Sequence, residues 1–263
     1  MEESEESKEN VEIKNVETLT NIIHVENDNN YSKCQKFCCE FFGAFFLLFI
    51  GGGIGVFTRG QIVPVVLANG FVITSLIYIF GRISGAHFNP SVSIPMFLRG
   101  KITSDELLYY TVAQFSGGFA GTFYIALCNK GNFDRLSSTQ IGNYLIKYDD
   151  ENQQFIDTWS YMSAFFCELI LTFGLVMVAL GSTVKRNNFN NLTGIIMGLT
   201  LIMLIFVGFN LSGASMNPVR SIPPAILEAV FGGQTKAIKQ VWIYILGPIL
   251  GGLLATYISL FFV

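Results

Sequence analysis

Long apolar stretches dominate this sequence and limit the structures that it can form. Six of them are about 20 residues long, the length that an α-helix needs to cross the hydrocarbon core of a bilayer. Only 13% of the residues are charged, which is too few to cover the surface of a soluble domain. The sequence therefore predicts an all-α membrane protein with six transmembrane helices. The predicted spans lie near Phe37–Phe57, Val63–Ile83, Leu107–Cys128, Trp159–Gly181, Leu192–Leu211 and Val241–Val263.

The segment before the first span has a different composition. Residues 1–32 contain nine acidic residues against two lysines, and they are polar and rich in Asn. Such a segment lacks the apolar side chains needed to form a core, so residues 1–32 are predicted to be a disordered acidic tail. Residues 33–263 are predicted to form a single membrane domain. The tail has no basic start followed by an apolar stretch, so it does not read as a cleaved signal peptide.

The sequence repeats itself at a constant offset of 128 residues without a gap. The matching pairs include Cys39-Glu40 with Cys167-Glu168, Ser84-Gly85-Ala86 with Ser212-Gly213-Ala214, and Asn89-Pro90 with Asn217-Pro218. The two halves, about 37–128 and 159–263, each contain three spans. Because three is odd, the second half must enter the membrane from the opposite face. An inverted repeat of this kind predicts a functional site near the middle of the membrane, where the halves meet.

Each half also contains a short helix that is too short to span the membrane. Asn89 and Asn217 suit the N-cap position, and Pro90 and Pro218 suit the first helical position. The helix that follows has about ten residues, enough for half a membrane. A single Asn-Pro pair usually begins a surface loop, but two copies in register favour two re-entrant half-helices that enter from opposite faces and meet at the centre.

The meeting point of these half-helices predicts a particular chemistry. With its side-chain oxygen used as the cap, each Asn can point N–H groups into a lumen. Both helix N-termini carry partial positive charge, so a water between them turns its oxygen toward Asn89 and Asn217. This orientation interrupts a chain of proton-conducting waters, and the same field repels cations.

These residues closely resemble the aquaporin, or major intrinsic protein, family over roughly residues 36–263. The resemblance rests on the intramembrane Glu of each half, on Gln114, on both Asn-Pro motifs and on Gly247-Pro248. It implies six full spans, two half-spans and a homotetramer with one pore in each subunit. It also implies a passive channel for water or small neutral solutes, with no catalytic residue, cofactor, metal or nucleic-acid partner.

The resemblance further implies which residues line the pore. The central motifs are Asn89-Pro90-Ser91 and Asn217-Pro218-Val219, where Ser91 and Val219 replace the family's usual Ala. The predicted selectivity filter is Asn69, Ile205, Ala214 and Arg220. Water-selective relatives usually have an aromatic residue at the Asn69 position and His at the Ile205 position, so a wider filter is expected. Ser221 and Ala225 instead follow the water-channel pattern. Water is therefore the first prediction, and a facilitator of glycerol, urea, ammonia or metalloid solutes is the alternative.

Two intramembrane acids, Glu40 and Glu168, allow two interpretations. They could accept hydrogen bonds from the adjacent re-entrant backbone, or they could relay protons in a proton-coupled carrier. The structural role is favoured, and Gln114 and His87 are predicted to support the same region. His87 could also sense pH. A third function, a junction or scaffold protein with a closed pore, remains open.

The remaining predictions concern the membrane surface. The loop after the fourth span, with Ser182, Thr183, Lys185 and Arg186, is either a plain solvated loop or a gate over the pore. The cluster Cys34, Cys38 and Cys39 is either inert or palmitoylated. Six spans put both termini on one side, and a small excess of Lys and Arg makes that side cytoplasmic. The expected location is the plasma membrane or an intracellular vesicle membrane.

Overall fold

The computed structural model describes residues 31–148, 154–183 and 190–261. Residues 34–263 belong to one compact unit, and the preceding segment forms a separate unit of which only residues 31–33 are described. The predicted disordered tail therefore lies almost entirely outside the described residues and stays a prediction. Within the compact unit the described structure is mostly helical, and it contains one antiparallel pair of two-residue strands, β1 (Lys147–Tyr148) and β2 (Gln154–Phe155).

Eight helices form most of the described part of the fold, in addition to two three-residue 3-10 helices, Asn143–Leu145 and Asn190–Leu192. Six are long and two are short. In chain order they are α1 (Lys33–Phe57), α2 (Ile62–Ser84), α3 (Pro90–Leu98), α4 (Ser104–Cys128), α5 (Thr158–Ser182), α6 (Thr193–Gly208), α7 (Pro218–Phe231) and α8 (Lys236–Ser259). A six-residue π-helix, Leu47–Gly52, lies inside α1, and α8 is interrupted at Val241 and Trp242.

Among the described helices, α1, α2, α5 and α8 are long and apolar enough to cross a membrane by length and composition. The other two predicted spans are long helices of a different character. Helix α4 has 25 residues, but it begins with a Thr103–Glu106 capping box and buries polar side chains such as Gln114 and Thr122. Helix α6 is apolar but has 16 residues, because the chain turns at its end toward the second re-entrant stretch.

The two short helices begin as the Asn-Pro motifs predict. Asn89 caps α3 by accepting a hydrogen bond from the Ser91 backbone N–H at 2.8 Å, and Asn217 caps α7 in the same way with Val219 at 2.9 Å. Helix α3 has nine residues, close to the predicted ten. Helix α7 is longer than predicted, with 14 residues, and its extra turn carries Glu228, which binds the chain segment after α4.

Each half-helix packs into the half of the molecule to which it does not belong. Val92 of α3 joins an apolar cluster built mainly by α5 and α6, around Leu175 and Val176. Val219 of α7 joins a cluster built mainly by α1 and α2, around Leu48. Because both residues are buried in the opposite half, the two halves form one core.

Glycines let the long helices of each half approach closely. A Cβ added at Gly117 of α4 would lie within 3.0 Å of the Phe41 carbonyl oxygen, and one added at Gly251 of α8 would lie equally close to that of Leu169. Phe41 and Leu169 are equivalent in the 128-residue repeat. The third span of each half therefore packs on the first span by the same contact. The two glycines are 134 residues apart in the sequence, whereas Phe41 and Leu169 are 128 residues apart.

Candidate functional site

The two capping asparagines hold the half-helices together at their tips. Asn89 Nδ2 donates to the carbonyl oxygen of Met216 at 2.8 Å, and Asn217 Nδ2 donates to that of Phe88 at 3.0 Å. Each side chain thus donates one N–H to the re-entrant stretch of the other half. The second N–H of each amide has no protein partner among the described residues, and both side chains line a cavity. This reciprocal clasp was not predicted from the sequence.

The re-entrant stretches before these asparagines have an uncommon backbone conformation. Ala86 and Phe88 have φ values of 55° and 52°, and their counterparts Ala214 and Met216 have 50° and 53°. Residues with a side chain rarely adopt positive φ, and such strain persists only where the surroundings hold it. The same strained turns occur in both halves, so they belong to the repeat.

The carboxylates of Glu40 and Glu168 hold those strained stretches in place. Glu40 accepts hydrogen bonds from the backbone N–H groups of His87 at 3.0 Å and Phe88 at 2.7 Å. Glu168 accepts them from Ser215 at 2.9 Å and Met216 at 2.7 Å. Both acids also bind the serine that begins the stretch, at 2.6 Å in each case, and both side chains are fully buried. These are the backbone contacts expected of a structural role.

Gln114 and His87 complete the support in the first half only. Gln114 Nε2 donates to Glu40 at 2.7 Å and to Ser93 Oγ at 3.0 Å, and His87 Nδ1 lies 3.1 Å from the same Ser93 Oγ. In the second half the His87 position is Ser215, whose Oγ lies 2.6 Å from Ser221 Oγ. The two halves therefore share the acid but differ in the groups around it.

A cavity of about 370 Å³ runs past both asparagines. All four predicted filter residues, Asn69, Ile205, Ala214 and Arg220, line this cavity, and so does His87. The other central-motif residues do not line it, because Pro90, Ser91, Pro218 and Val219 are buried behind the half-helix tips. Ser91 and Val219, which replace the family's usual Ala, therefore act on the packing between the halves rather than on the cavity wall.

Arg220 is held by a loop that the sequence analysis did not single out. Its Nη1 donates to the Ser137 carbonyl oxygen at 2.6 Å and to Thr139 Oγ1 at 2.8 Å. That loop is anchored in turn by Glu228, whose carboxylate accepts from the backbone N–H groups of Leu136 at 2.6 Å and Ser138 at 3.3 Å. Gln240 anchors it further along, accepting from Ile141 N–H at 2.9 Å. The sequence signal for this role was Glu228, the one acidic residue of α7.

The opposite mouth of the cavity is polar and charged. It is lined by Lys36, Lys101, Glu106, Ser182 and Thr183, and Lys36 pairs with Glu106 at 2.5 Å. The predicted gate residues Lys185 and Arg186 lie outside the described residues, so the gate stays a prediction. Cys34 and Cys38 are exposed and Cys39 is buried, all with free thiols. Among the described residues there is no group of three His, Cys, Asp or Glu side chains that could hold a metal.

Known proteins are similar to this chain over most of its length. The family model described as Major intrinsic protein matches residues 28–259. The chain is 36% identical over 223 residues to glycerol uptake facilitator protein-like 6 of Lactiplantibacillus plantarum, an alignment that covers 85% of this chain and 95% of that protein. It is 30% identical over 227 residues to Aquaporin Z of Photorhabdus laumondii, covering 83% of this chain and 93% of that one.

A solved structure shares the fold. The aquaglyceroporin of Plasmodium falciparum superposes with a TM-score of 0.67 at 19% identity, covering 87% of this chain and 96% of that one. The predicted helical membrane fold and the predicted passive transmembrane channel are thereby confirmed. The chain belongs to the major intrinsic protein family.

Proposed function

We propose that each chain conducts water, together with small uncharged solutes, down their gradients through its own pore and excludes protons and ions. The observation that carries this proposal is the pair of Asn side chains at the facing half-helix tips. Asn89 and Asn217 each keep one N–H for the cavity after their other groups are used by the caps and the clasp. Two fixed donors at one point bind the oxygen of a neutral molecule.

The half-helices provide the exclusion of ions at the same point. Both α3 and α7 direct their N-termini toward the asparagines, and helix N-termini carry partial positive charge. A cation that sheds its water there meets donors and positive dipoles, whereas a water accepts hydrogen bonds from them. A water held by its oxygen also cannot pass a proton along the file.

The filter residues support a pore that is wider than one built for water alone. Arg220 places a fixed positive charge against the cavity, while Ile205 and Ala214 add apolar wall. Water ranks first because Ser221 and Ala225 follow the water-channel pattern. The similarity both to a protein named a glycerol uptake facilitator and to one named an aquaporin supports a solute range that extends beyond water.

A proton-coupled carrier is the second candidate, and the position of its two acids disfavours it. Glu40 and Glu168 are fully buried, each carboxylate accepts at least three hydrogen bonds, and neither acid lines the cavity. A proton relay needs groups that reach the transported water. The acids of this chain face the strained backbone instead.

The proposal extends to assembly and placement. Four chains form a homotetramer with one pore per subunit, as the family resemblance implies. Both termini lie on the cytoplasmic side of a plasma or vesicle membrane. Cross-linking in native membranes and protease access to the 1–32 tail in sealed vesicles test these two points. Protection of the tail in right-side-out vesicles is the expected result.

Stopped-flow measurements on proteoliposomes test the transport function. Protein-containing vesicles should shrink faster than protein-free vesicles under a sucrose gradient, and the rate should rise linearly with the gradient. Repeating the experiment with glycerol and urea measures the solute range. The rate should not change when a proton gradient is imposed. A requirement for a proton gradient would support the carrier, and no flux at all would support a closed scaffold.

A further inference from the structure

The filter residue Asn69 is oriented by an irregular turn of the neighbouring helix. Asn69 Nδ2 donates to the Gly51 carbonyl oxygen at 3.2 Å and to the Val65 carbonyl oxygen at 2.8 Å. Gly51 lies in the π-helix Leu47–Gly52 of α1, while Val65 lies one turn before Asn69 in α2. Isolated π-helical turns of this kind are rare and occur frequently at functional sites.

These two contacts determine which atom of the amide is left for the cavity. Both partners are carbonyl oxygens, which only accept, so the nitrogen must face them and both of its N–H groups are used. The oxygen Oδ1 has no hydrogen-bond partner among the described residues. Among those residues, the buried side-chain atoms that lack any partner are Ser91 Oγ and Gln114 Oε1. Asn69 Oδ1 lacks a partner but is not one of these buried atoms. Oδ1 is therefore accessible, and the space that Asn69 lines is the cavity.

Gly51 leaves the space that this orientation needs. A Cβ added at Gly51 would lie within 3.0 Å of Asn69 Oδ1. Any other residue at position 51 would therefore displace the amide oxygen.

The four cavity residues that the repeat relates to the filter include no equivalent polar pair. The inverted repeat relates Asn69, Ile205, Ala214 and Arg220 to the residues 128 positions away, which are Met197, Ile77, Ala86 and Val92. All four of these residues also line the cavity, and none carries a polar side chain. The four filter residues and these four residues form two sets, or rings, that are related by the repeat. The polar side chains are therefore a specific property of the ring that contains Arg220.

Arg220 and Asn69 supply complementary groups within this ring. Arg220 uses both Nη1 protons on Ser137 and Thr139, which leaves its Nη2 and Nε donors without a partner among the described residues. Arg has no acceptor, and Ile205 and Ala214 are apolar. Asn69 Oδ1 is therefore the single side-chain acceptor of the four filter positions.

We infer that Asn69 is a solute-binding residue that presents a fixed hydrogen-bond acceptor to the lumen, so that the filter admits small neutral solutes rich in N–H or O–H donors, with urea as the test case. The inference rests on the proposed channel function. A solute that fills the ring loses its hydration and has only the walls as partners. Arg220 donates to the carbonyl oxygen of urea, and Asn69 Oδ1 accepts a hydrogen bond from one of its N–H groups.

The test compares urea and water permeability in proteoliposomes for the intact channel and three variants. Asn69→Leu keeps the number and branching of the side-chain heavy atoms and removes the acceptor, so it should lower the ratio of urea to water permeability by about threefold to tenfold, the effect of losing one hydrogen bond. Gly51→Ala keeps Asn69 but displaces its oxygen, so it should lower the ratio in the same direction. Met197→Leu, the matched change at the equivalent position of the other end, should leave the ratio unchanged.

The outcomes separate this inference from the proposed function. A wild-type channel that conducts neither water nor urea refutes the proposed function itself. A channel that conducts water but not urea, or an Asn69→Leu variant with an unchanged ratio, overturns the inference alone. An equal loss in Met197→Leu would also overturn it, because the effect would not belong to the filter. A folded Gly51→Ala channel with the wild-type ratio would overturn the role of the π-helix.

Discussion

Arg220 makes the two ends of the cavity chemically different, because the equivalent residue in the other half is Val92. The same backbone scaffold thus carries a guanidinium at one end and an apolar side chain at the other. In the proposed filter, Asn69 supplies an acceptor near Arg220, while Ile205 and Ala214 add apolar wall. We therefore expect the selectivity of the pore to depend on these four side chains.

Arg220→Ala should increase the leak of protons or cations through the channel. The fixed positive charge near the lumen disappears, and in a partly desolvated site such a charge contributes enough repulsion to change the leak on the order of tenfold. Ion conductance across a planar bilayer measures the change. Lys101→Ala, which removes a charge at the opposite mouth, is the control. A leak equal to that of the wild type would remove Arg220 from the filter.

Ile205→His should lower glycerol permeability relative to water several-fold. The imidazole ring is polar and reaches further from the backbone than the Ile205 side chain, so it should narrow the opening, and small differences in pocket size discriminate by about tenfold or more. Parallel stopped-flow traces with sucrose and glycerol give the ratio. Ile205→Leu conserves the volume and should behave like the wild type. If the histidine variant has an unchanged ratio, Ile205 does not line the constriction.

In the proposed channel, two short helices and one loop form the functional element. The caps place Asn89 and Asn217 at the tips of α3 and α7, and the buried acids hold the strained stretches that precede them. The loop after α4 then places a carbonyl oxygen against Arg220. Helix α7 contributes to both parts, because its first turn carries Arg220 and its last turn carries Glu228.

Glu228→Gln should loosen this loop and increase ion leak, although less than Arg220→Ala does. A buried carboxylate with hydrogen bonds from Leu136, Ser138 and the Ser138 hydroxyl is replaced by a neutral amide, and bonds to charged groups contribute about 1.5–3 kcal/mol each. Water permeability should be largely retained. Asp134→Asn removes the same charge from an exposed position of the same loop and should have no effect. Equal leak in both variants would show that charge, and not anchoring, is responsible.

The whole molecule is an inverted repeat in which each half completes the other. Each half-helix is buried in the opposite half, and the third span of each half packs on the first through a glycine. The clasp of Asn89 and Asn217 lies on the pseudo-twofold axis that this arrangement defines. Neither half alone could therefore form the centre of the pore.

Gly251→Ala should destabilise the folded protein by about 1–3 kcal/mol, the usual cost of overpacking a core. The added methyl group would meet the Leu169 carbonyl oxygen, which belongs to the backbone of α5 and cannot move aside. Gly117→Ala should have a similar effect against Phe41. Thermal unfolding in detergent measures both. Gly81→Ala is the control, since its methyl group would lie 3.6 Å from Ile77, an ordinary contact. Equal stability of all three variants would contradict the close packing.

Some features of this protein could be predicted from the sequence because they depend on neighbouring residues. Apolar runs long enough to span a membrane, an Asn that caps a helix and a Pro at its first position are local properties, and the 128-residue repeat is visible in the order of residues alone. The predicted helical fold, the two half-helices and the resemblance to the family followed from them. The assembly of four distant residues into one ring followed from the resemblance and not from the spacing itself.

Other features were decided only when the helices packed together. Asn89 and Asn217 donate hydrogen bonds to Met216 and Phe88, which are more than 100 residues away in the sequence. No local sequence pattern indicates such a partner. The same holds for Glu228 and the loop at 136–138, and for the π-helix that orients Asn69. A side chain's hydrogen-bond partner depends on the distance of closest approach between elements, and that distance is a property of the packed structure.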